Sequence, residues 1–258
     1  MSGASGPIWR HGSADVAILE RAAGGSGELV LRRSGADLEV IAGGTFLISS
    51  ANADSSRALV TAGLPFLRDA GAVSAAEVGA PAGSSAGLPR AGLDVLIGGL
   101  GLGYALDAAL AERRVERVTV VEYEPLIVDW FRAYGEGRAA RLAAGEAAGR
   151  ARIVVADVAD VMRENAGAFD LVALDTDNGP DWLVREANAG LYDEAGVALA
   201  HSALRPGGVA VFWSPERYDW FAARLGAGFA RVDKVGAHDR VGGRRHEYTM
   251  YVASREVD

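Results

Sequence analysis

Three acidic side chains, Glu122, Asp157 and Asp175, each follow a short apolar segment of the chain. In an open α/β sheet, ligands bind outside the carboxyl ends of the strands, and an acidic side chain after the second strand accepts hydrogen bonds from the two hydroxyls of a ribose. Glu122 has that position, and Asp157 is placed to accept from an adenine amino group. Tyr123 and Val158 directly follow these two acids and are expected to line the same site. The pattern therefore predicts a nucleoside site.

The loop that begins at Asp175 carries a second group of polar side chains. Asp177 and Asn178 lie beside Asp175 at the predicted mouth of the sheet. Two carboxylates this close repel each other, so Asp175 or Asp177 is a candidate proton acceptor; alternatively, the pair holds a cationic amine. A third interpretation is a turn in which these side chains cap the next helix. Trp182 and Tyr192 are candidates for the wall of the substrate pocket.

A glycine-rich turn is the element that must bring the backbone against a bound nucleoside. It follows a predicted strand at 95–97 and precedes a predicted helix at 102–114, whose N-terminal N–H groups point into the same space. Its glycines are Gly98, Gly99, Gly101 and Gly103. Their spacing is G-x-G-x-G, whereas a dinucleotide fold normally has G-x-G-x-x-G. No G-K-[ST] follows the turn and the only lysine is Lys234, which excludes a P-loop site.

The N-terminal part of the chain is predicted to form a small antiparallel sheet. Short apolar runs separated by glycine-containing turns indicate hairpins, and they lie at 16–19, 28–31, 38–41 and 45–48. A helix is expected over 54–68, capped by Asp54 or Ser55. We predict an N-terminal β-hairpin domain with this helix at 1–75, a glycine-rich linker at 76–92, and a Rossmann-like transferase domain at 93–258.

Strands and helices alternate through the rest of the chain, which indicates an open, mostly parallel α/β sheet. After the second strand at 118–121, further strands are predicted at 152–156, 169–174, 209–213, 229–235 and 247–253. Longer helices are predicted at 125–141, 191–204 and 216–225.

The composition limits the classes of partner. The formal net charge of −8 argues against nucleic acid, whose binding proteins usually carry a basic face. No apolar run approaches the length of a membrane helix, and no signal pattern opens the chain, so a cytoplasmic protein without a membrane partner is expected. The absence of cysteine excludes disulfides and thiolate sites, and no histidine–carboxylate spacing resembles a metal site.

The order of these motifs resembles the spermidine synthase family, within the S-adenosylmethionine-dependent methyltransferase superfamily. The motifs are LIGGLGLG, VTVVEYEPLIVDW, FDLVALDTDNGP, and LY and LRPGGV downstream. The resemblance implies a class I methyltransferase fold, with a seven-stranded, mostly parallel sheet and a small N-terminal antiparallel β-domain. It also implies that Glu122 binds the ribose, that Asp157 binds the adenine, and that Asp175 receives the proton of an amine. The implied cofactor is S-adenosylmethionine or its decarboxylated form, and the implied assembly is a homodimer or homotetramer.

Two positions depart from the family pattern. The family's turn has the form G-G-G-D-G-G, and Gly101 stands where its aspartate faces the ammonium of the aminopropyl donor. Arg57 and Ala58 stand where the family has a Tyr-His or Tyr-Gln pair at the polyamine site, and an arginine there would repel a diamine.

These departures favour methyl transfer to a small-molecule nucleophile, with Asp175 as base and Asp177 and Asn178 as orienting groups. The alternative is an aminopropyltransferase, a spermidine synthase that uses decarboxylated S-adenosylmethionine and a diamine. A second alternative is a non-catalytic nucleoside-binding protein.

Overall fold

The computed structural model describes residues 15–25, 27–67, 92–176, 179, 188–241 and 244–257. In these residues a four-stranded antiparallel sheet precedes a seven-stranded sheet flanked by helices. The predicted α/β fold, with its large, mostly parallel sheet and its small N-terminal sheet, is therefore confirmed.

The four-stranded sheet is a meander of hairpins. Its strands are β1 Val16–Gly24, β2 Gly27–Ser34, β3 Asp37–Ala42 and β4 Thr45–Ser49. Each pairs antiparallel with the next in chain order. The turn between β3 and β4 is Gly43-Gly44, and both glycines have positive φ, as the tightest hairpin turns require. Leu29 and Leu31 of β2 are buried, so one face of this sheet belongs to the core.

The seven-stranded sheet has the order β10-β11-β9-β8-β5-β6-β7. Its strands are β5 Leu93–Gly98, β6 Val115–Glu122, β7 Ala151–Val155, β8 Phe169–Leu174, β9 Leu204–Ser214, β10 Arg231–Val241 and β11 Arg244–Ser254. The five strands from β7 to β9 are parallel, and the hairpin of β10 and β11 adds antiparallel to β9. The chain passes from β6 and β7 on one side of β5 to β8 on the other, so the strand order reverses beside β5.

Helices cover both faces of this sheet. They are α1 Ala53–Thr61, α2 Tyr104–Ala111, α3 Pro125–Tyr134, α4 Gly137–Ala147, α5 Val158–Glu164, α6 Ala189–Tyr192, α7 Glu194–Ala203 and α8 Asp219–Gly228. Val95 and Ile97 of β5 face the core formed with α1 to α4, whereas Leu96 faces the core formed with α5, α7 and α8. None of the helices described is long and apolar enough to cross a membrane.

Two predicted helices are each interrupted. The helix predicted at 125–141 is α3 followed by α4, because Gly135 and Glu136 leave the helical path and Glu136 has a φ of +50°. The helix predicted at 191–204 is α6 followed by α7. There the Asp193 carboxylate accepts from the Gly196 N–H at 2.9 Å and starts a new helix.

The prediction for the first helix was wrong in its length and in its cap. Helix α1 begins at Ala53 and ends at Thr61, and neither Asp54 nor Ser55 is its N-cap. The N–H groups of its first turn are instead satisfied by Asp239 of β10, whose carboxylate accepts from the Asp54 N–H at 2.8 Å and from the Ser55 N–H at 3.2 Å. The cap comes from a residue that is distant in sequence, so local sequence could not reveal it.

Helix α1 packs on the seven-stranded sheet, although it was predicted as part of the N-terminal domain. Leu59 is fully buried, and a Cβ at Gly63, just after the helix, would meet the side chains of Leu171 and Val211. The two sheets share one core in this region. The predicted linker lies outside the described residues except for Gly92, and the domain boundaries stay a prediction.

We expect Asp239→Ala to lower the free energy of unfolding by about 2 kcal/mol, because it leaves N–H groups of a buried helix end without an acceptor. Asp239 is 2% exposed. Chemical denaturation measures the change. Asp54→Ala is the matched control, because this side chain is exposed and forms a surface ion pair with Arg57, and we expect a change below about 0.5 kcal/mol. Equal losses in the two variants would contradict the tertiary cap.

Candidate active site

A cleft lies at the carboxyl ends of the central parallel strands, beside the point where the strand order reverses. Ligands bind at this position in open α/β sheets. Its polar wall comes from the strand ends, and its apolar wall comes from the N-terminal sheet. The polar lining residues are Glu122, Glu124, Asp157, Asp175, Thr176 and Asn188, and the apolar wall includes Leu29, Ala42, Leu47 and Ile48. The cleft therefore exists only because the two sheets are docked.

The glycine turn forms the floor of the cleft through Gly99 and Gly101. Gly99 has a φ of +94°, and a Cβ there would overlap the carbonyl oxygen of Asp175. Gly101 has a φ of +50°, and a Cβ there would overlap Cδ1 of Ile48 in the N-terminal sheet. Both positions thus need glycine for their backbone conformation and for a close approach.

The other two predicted glycines support the turn from outside the cleft. Gly98 ends β5, and its carbonyl oxygen accepts from the Asp175 N–H at 2.9 Å. Gly103 is the N-cap of α2, with a φ of +78°, and packs against Phe131. They set the path of the turn and are not among the residues that line the cleft.

Glu122 occupies the place where the glycine turn meets the end of β6. Its Oε2 accepts from the Leu100 N–H at 2.9 Å, and its Oε1 accepts from the Glu124 N–H at 2.9 Å. Glu122 also lines the cleft, so backbone N–H groups orient its carboxylate where a ligand can reach it. Burial raises the pKa of Glu122, although the backbone N–H groups oppose this by favouring the ionised form. The geometry suits the recognition of two adjacent hydroxyls.

Glu124 is a site residue to which the sequence analysis gave no role. Its Oε2 accepts from the Gly25 N–H at 2.6 Å, and its Oε1 accepts from the Leu126 N–H at 3.3 Å. It therefore caps α3 and also holds the turn between β1 and β2 against the cleft. The acidic pair Glu122 and Glu124 was visible in the sequence, but the contact with Gly25 spans most of the N-terminal half of the chain.

The second predicted acid, Asp157, lines the cleft together with Val158 and Tyr123. Asp157 caps α5 by accepting from the Ala159 N–H at 2.9 Å. Val158 is buried, and Tyr123 is 44% exposed at the rim. The structure thus brings these three predicted residues together with Glu122.

Asp175 directly follows β8 and lines the same cleft as Glu122. The adjacent lining comes from Thr176 and Asn188, and the Asn188 Nδ2 donates to the Thr176 carbonyl oxygen at 3.2 Å. Neither residue was predicted: Thr176 lies within the motif FDLVALDTDNGP but received no role, and Asn188 lies outside the quoted motifs. The predicted residues Asp177, Asn178 and Trp182 lie outside the described residues.

Two other predicted substrate-binding residues lie away from the described lining of the cleft. Arg57 stacks over the ring of Tyr104 at 4.8 Å and pairs with Asp54. Tyr192 is 4% exposed, and its ring packs edge-on against Phe221 at 5.6 Å. Neither side chain is among the described residues that line the cleft, and the role of both in binding an acceptor stays a prediction.

The charge of the cleft is one-sided. Four carboxylates line it, and the described lining contains no arginine, lysine or histidine. No three histidine, aspartate or glutamate side chains in the described residues are grouped to hold a metal ion. The electrostatic field of such a lining favours a cationic ligand.

No family model matches the chain, and no curated protein is significantly similar to it in sequence. The fold, however, is similar to that of solved structures. One is a spermidine synthase in complex with the transition-state analogue AdoDATO, with a TM-score of 0.71 and 17% identity over 93% of this chain and 74% of that chain. Another is the spermidine synthase of Thermotoga maritima, with a TM-score of 0.68 and 16% identity over 93% and 73% of the two chains. The chain has the spermidine synthase fold, as the motifs predicted.

We expect Glu122→Gln to weaken the binding of methylthioadenosine by about tenfold or more, because hydrogen bonds to a charged acceptor contribute about 1.5–3 kcal/mol. Calorimetry measures the affinity. Glu116→Gln, an exposed glutamate on the same strand, is the matched control and should bind as the wild type does. Undiminished binding by Glu122→Gln would show that the nucleoside lies elsewhere.

The same site predicts a dependence of binding on pH. The ribose hydroxyls need ionised Glu122, and burial raises its pKa above the ordinary 4.5. Affinity for methylthioadenosine should therefore be highest above this raised pKa and fall as the pH is lowered through it. Titrations at several pH values check this, and the Glu122→Gln variant should lose the dependence. A wild-type affinity that stays constant down to pH 4.5 would contradict the assignment.

Proposed function

We propose that this protein is an aminopropyltransferase, which moves the aminopropyl group of decarboxylated S-adenosylmethionine to an amine acceptor of the diamine class. The observation that carries the proposal is the cleft lined by Glu122, Glu124, Asp157 and Asp175 with no described basic side chain. The spermidine synthase fold supports the same assignment.

The charge of the donor distinguishes between the two adenosyl sulfonium compounds. The decarboxylated donor carries a sulfonium and an ammonium, both of which carboxylates stabilise. S-Adenosylmethionine carries a carboxylate in addition, and this group would enter an acidic cleft without a cationic partner among the described residues. The lining therefore favours the decarboxylated donor.

The site residues have distinct roles in this reaction. Glu122 holds the ribose hydroxyls and Asp157 holds the adenine amino group, which together fix the sulfonium near Asp175. The acceptor nitrogen attacks the aminopropyl carbon attached to sulfur. The bond between that carbon and sulfur breaks, and its electron pair stays on sulfur to give methylthioadenosine. The nitrogen gives up a proton, and Asp175 is the base that accepts it. The positioning of the two reactants supplies much of the rate.

Methyl transfer is the second candidate, and one observation favours it. Gly101 has no side chain, and Ile48 packs over it. The resemblance to spermidine synthases implies that an aspartate there contacts the donor's ammonium. That contact is missing, which removes one interaction that would favour the aminopropyl donor.

Calorimetry with three ligands separates these candidates. We expect the decarboxylated donor to bind at least about tenfold more tightly than S-adenosylmethionine, a difference of about 1.4 kcal/mol. Methylthioadenosine contains the adenosyl group that both donors share, so its binding is the control for a competent nucleoside site. Tighter binding of S-adenosylmethionine would favour methyl transfer, and the absence of binding by all three ligands would contradict both enzymatic functions.

We expect Asp175→Asn to retain affinity for methylthioadenosine and to lower kcat by about 10²- to 10⁴-fold, since a positioned base contributes a factor of this size. Steady-state kinetics and calorimetry on the same preparation measure the two quantities. Asp160→Asn is the matched control, because Asp160 is exposed on the adjacent helix and outside the cleft. An unchanged kcat in Asp175→Asn would remove Asp175 from the proton transfer.

A further inference from the structure

A row of polar and charged side chains crosses the other end of the seven-stranded sheet, where the parallel strands begin. Asp94 of β5 is paired in register with Arg117 of β6, and Thr119 of β6 with Arg152 of β7. Residues in register on parallel strands point to the same face, and so do residues two apart on one strand. These four side chains therefore share a single face of the sheet. None of the four was predicted to be a functional residue.

Two aspartates in this region, Asp94 and Asp170, are neutralised by two arginines. Asp94 accepts from Arg117 at 2.6 and 2.8 Å and from Arg205 at 2.7 Å. Asp170 accepts from the other nitrogen of Arg205 at 2.7 Å. Burial acts to raise the pKa of Asp94, but the hydrogen bonds from the two arginines outweigh it and lower that pKa. Arg117 also contacts Glu116. Asp94, Asp170, Arg117 and Arg205 together form an ion-pair network.

Two further arginines, Arg150 and Arg152, are not neutralised in this way. Arg150 donates to the carbonyl oxygen of Val115 at 3.0 Å, and Arg152 donates to the hydroxyl of Thr119 at 3.0 Å. Both acceptors are neutral, and in the described part of the chain neither arginine has a carboxylate within ion-pair distance. Each guanidinium group is thus held in place by one hydrogen bond while most of its N–H donors and its whole charge stay available.

Both arginines line a groove that also contains the ion-pair network. Its other lining residues include Asn165 at the end of α5 and Phe169 at the start of β8. The groove is distinct from the cleft, because Arg117 and Glu122 lie five residues apart on one strand, or about 16 Å at roughly 3.3 Å per residue. The protein has a net charge of −8, yet two arginines that have no ion-pair partner among the described residues line this one groove.

We propose that this groove binds the phosphate groups of a small anion, with Arg150 and Arg152 as the phosphate ligands. The planar fork of a guanidinium group matches the oxygens of a phosphate and donates to two of them at once. The neutral acceptors Val115 O and Thr119 Oγ1 orient the two forks without cancelling their charge. The inference is independent of the proposed transferase activity, because it rests on the opposite end of the sheet.

Calorimetry in a low-salt buffer without phosphate tests the site, with pyrophosphate as the probe. We expect wild-type protein to bind pyrophosphate, Arg150→Gln and Arg152→Gln each to weaken binding by about tenfold, and the double variant to lose it. Arg163→Gln is the matched control, because Arg163 is exposed and pairs with Asp160. Parallel titrations with inorganic phosphate and ADP distinguish a site for free phosphates from one that also contacts a nucleoside.

Methylthioadenosine binding is measured on the same variants and should not change, which shows that they are folded and that the cleft is separate. Arg152→Lys keeps the charge but not the fork, and we expect it to bind more weakly than the wild type and more tightly than Arg152→Gln. The proposal is overturned if wild-type protein does not bind pyrophosphate, or if the double variant binds it as well as the Arg163→Gln control does.

Discussion

The carboxylate of Glu122 joins the two backbone segments on which the cleft depends. One of its oxygens holds the Leu100 N–H in the glycine turn, and the other holds the Glu124 N–H after β6. With these contacts in place, Gly99 lies against Asp175, and Glu124 is positioned to hold Gly25 of the N-terminal sheet. One acid thereby links the glycine turn to the segment after β6, and it also lines the cleft. The energetic cost of burying it is visible in its raised pKa.

Local sequence patterns were sufficient to predict the α/β fold and the acidic residues that the ends of the parallel strands bring together. Residues 95–97 of β5 are all apolar, because helices cover both faces of the central sheet, and the predicted strand at 169–174 coincides with β8. Glu122, Asp157 and Asp175 converge because the carboxyl ends of parallel strands meet at one edge of a sheet. Short-range rules of this kind depend on the strand period and on chain order, both of which can be read from one sequence.

Features that depend on contacts between distant segments could not be predicted in the same way. Asp239 caps α1 from the far end of the chain, and Ile48 fills the space over Gly101. Arg57 was predicted to stand at the polyamine site, but its guanidinium group stacks on Tyr104 and it is not among the described residues that line the cleft. The docking of the N-terminal sheet therefore determines which side chains reach the cleft, and this docking has no local signature in the sequence.

The central claim is that an acidic cleft on a spermidine synthase fold transfers an aminopropyl group from a cationic adenosyl donor. Mass spectrometry of the products, after incubation of the protein with decarboxylated S-adenosylmethionine and a series of diamines, tests it most directly. We predict the release of methylthioadenosine together with a diamine that has gained one aminopropyl group. Methylation of an acceptor from S-adenosylmethionine, with no aminopropylated product from any diamine, would contradict it.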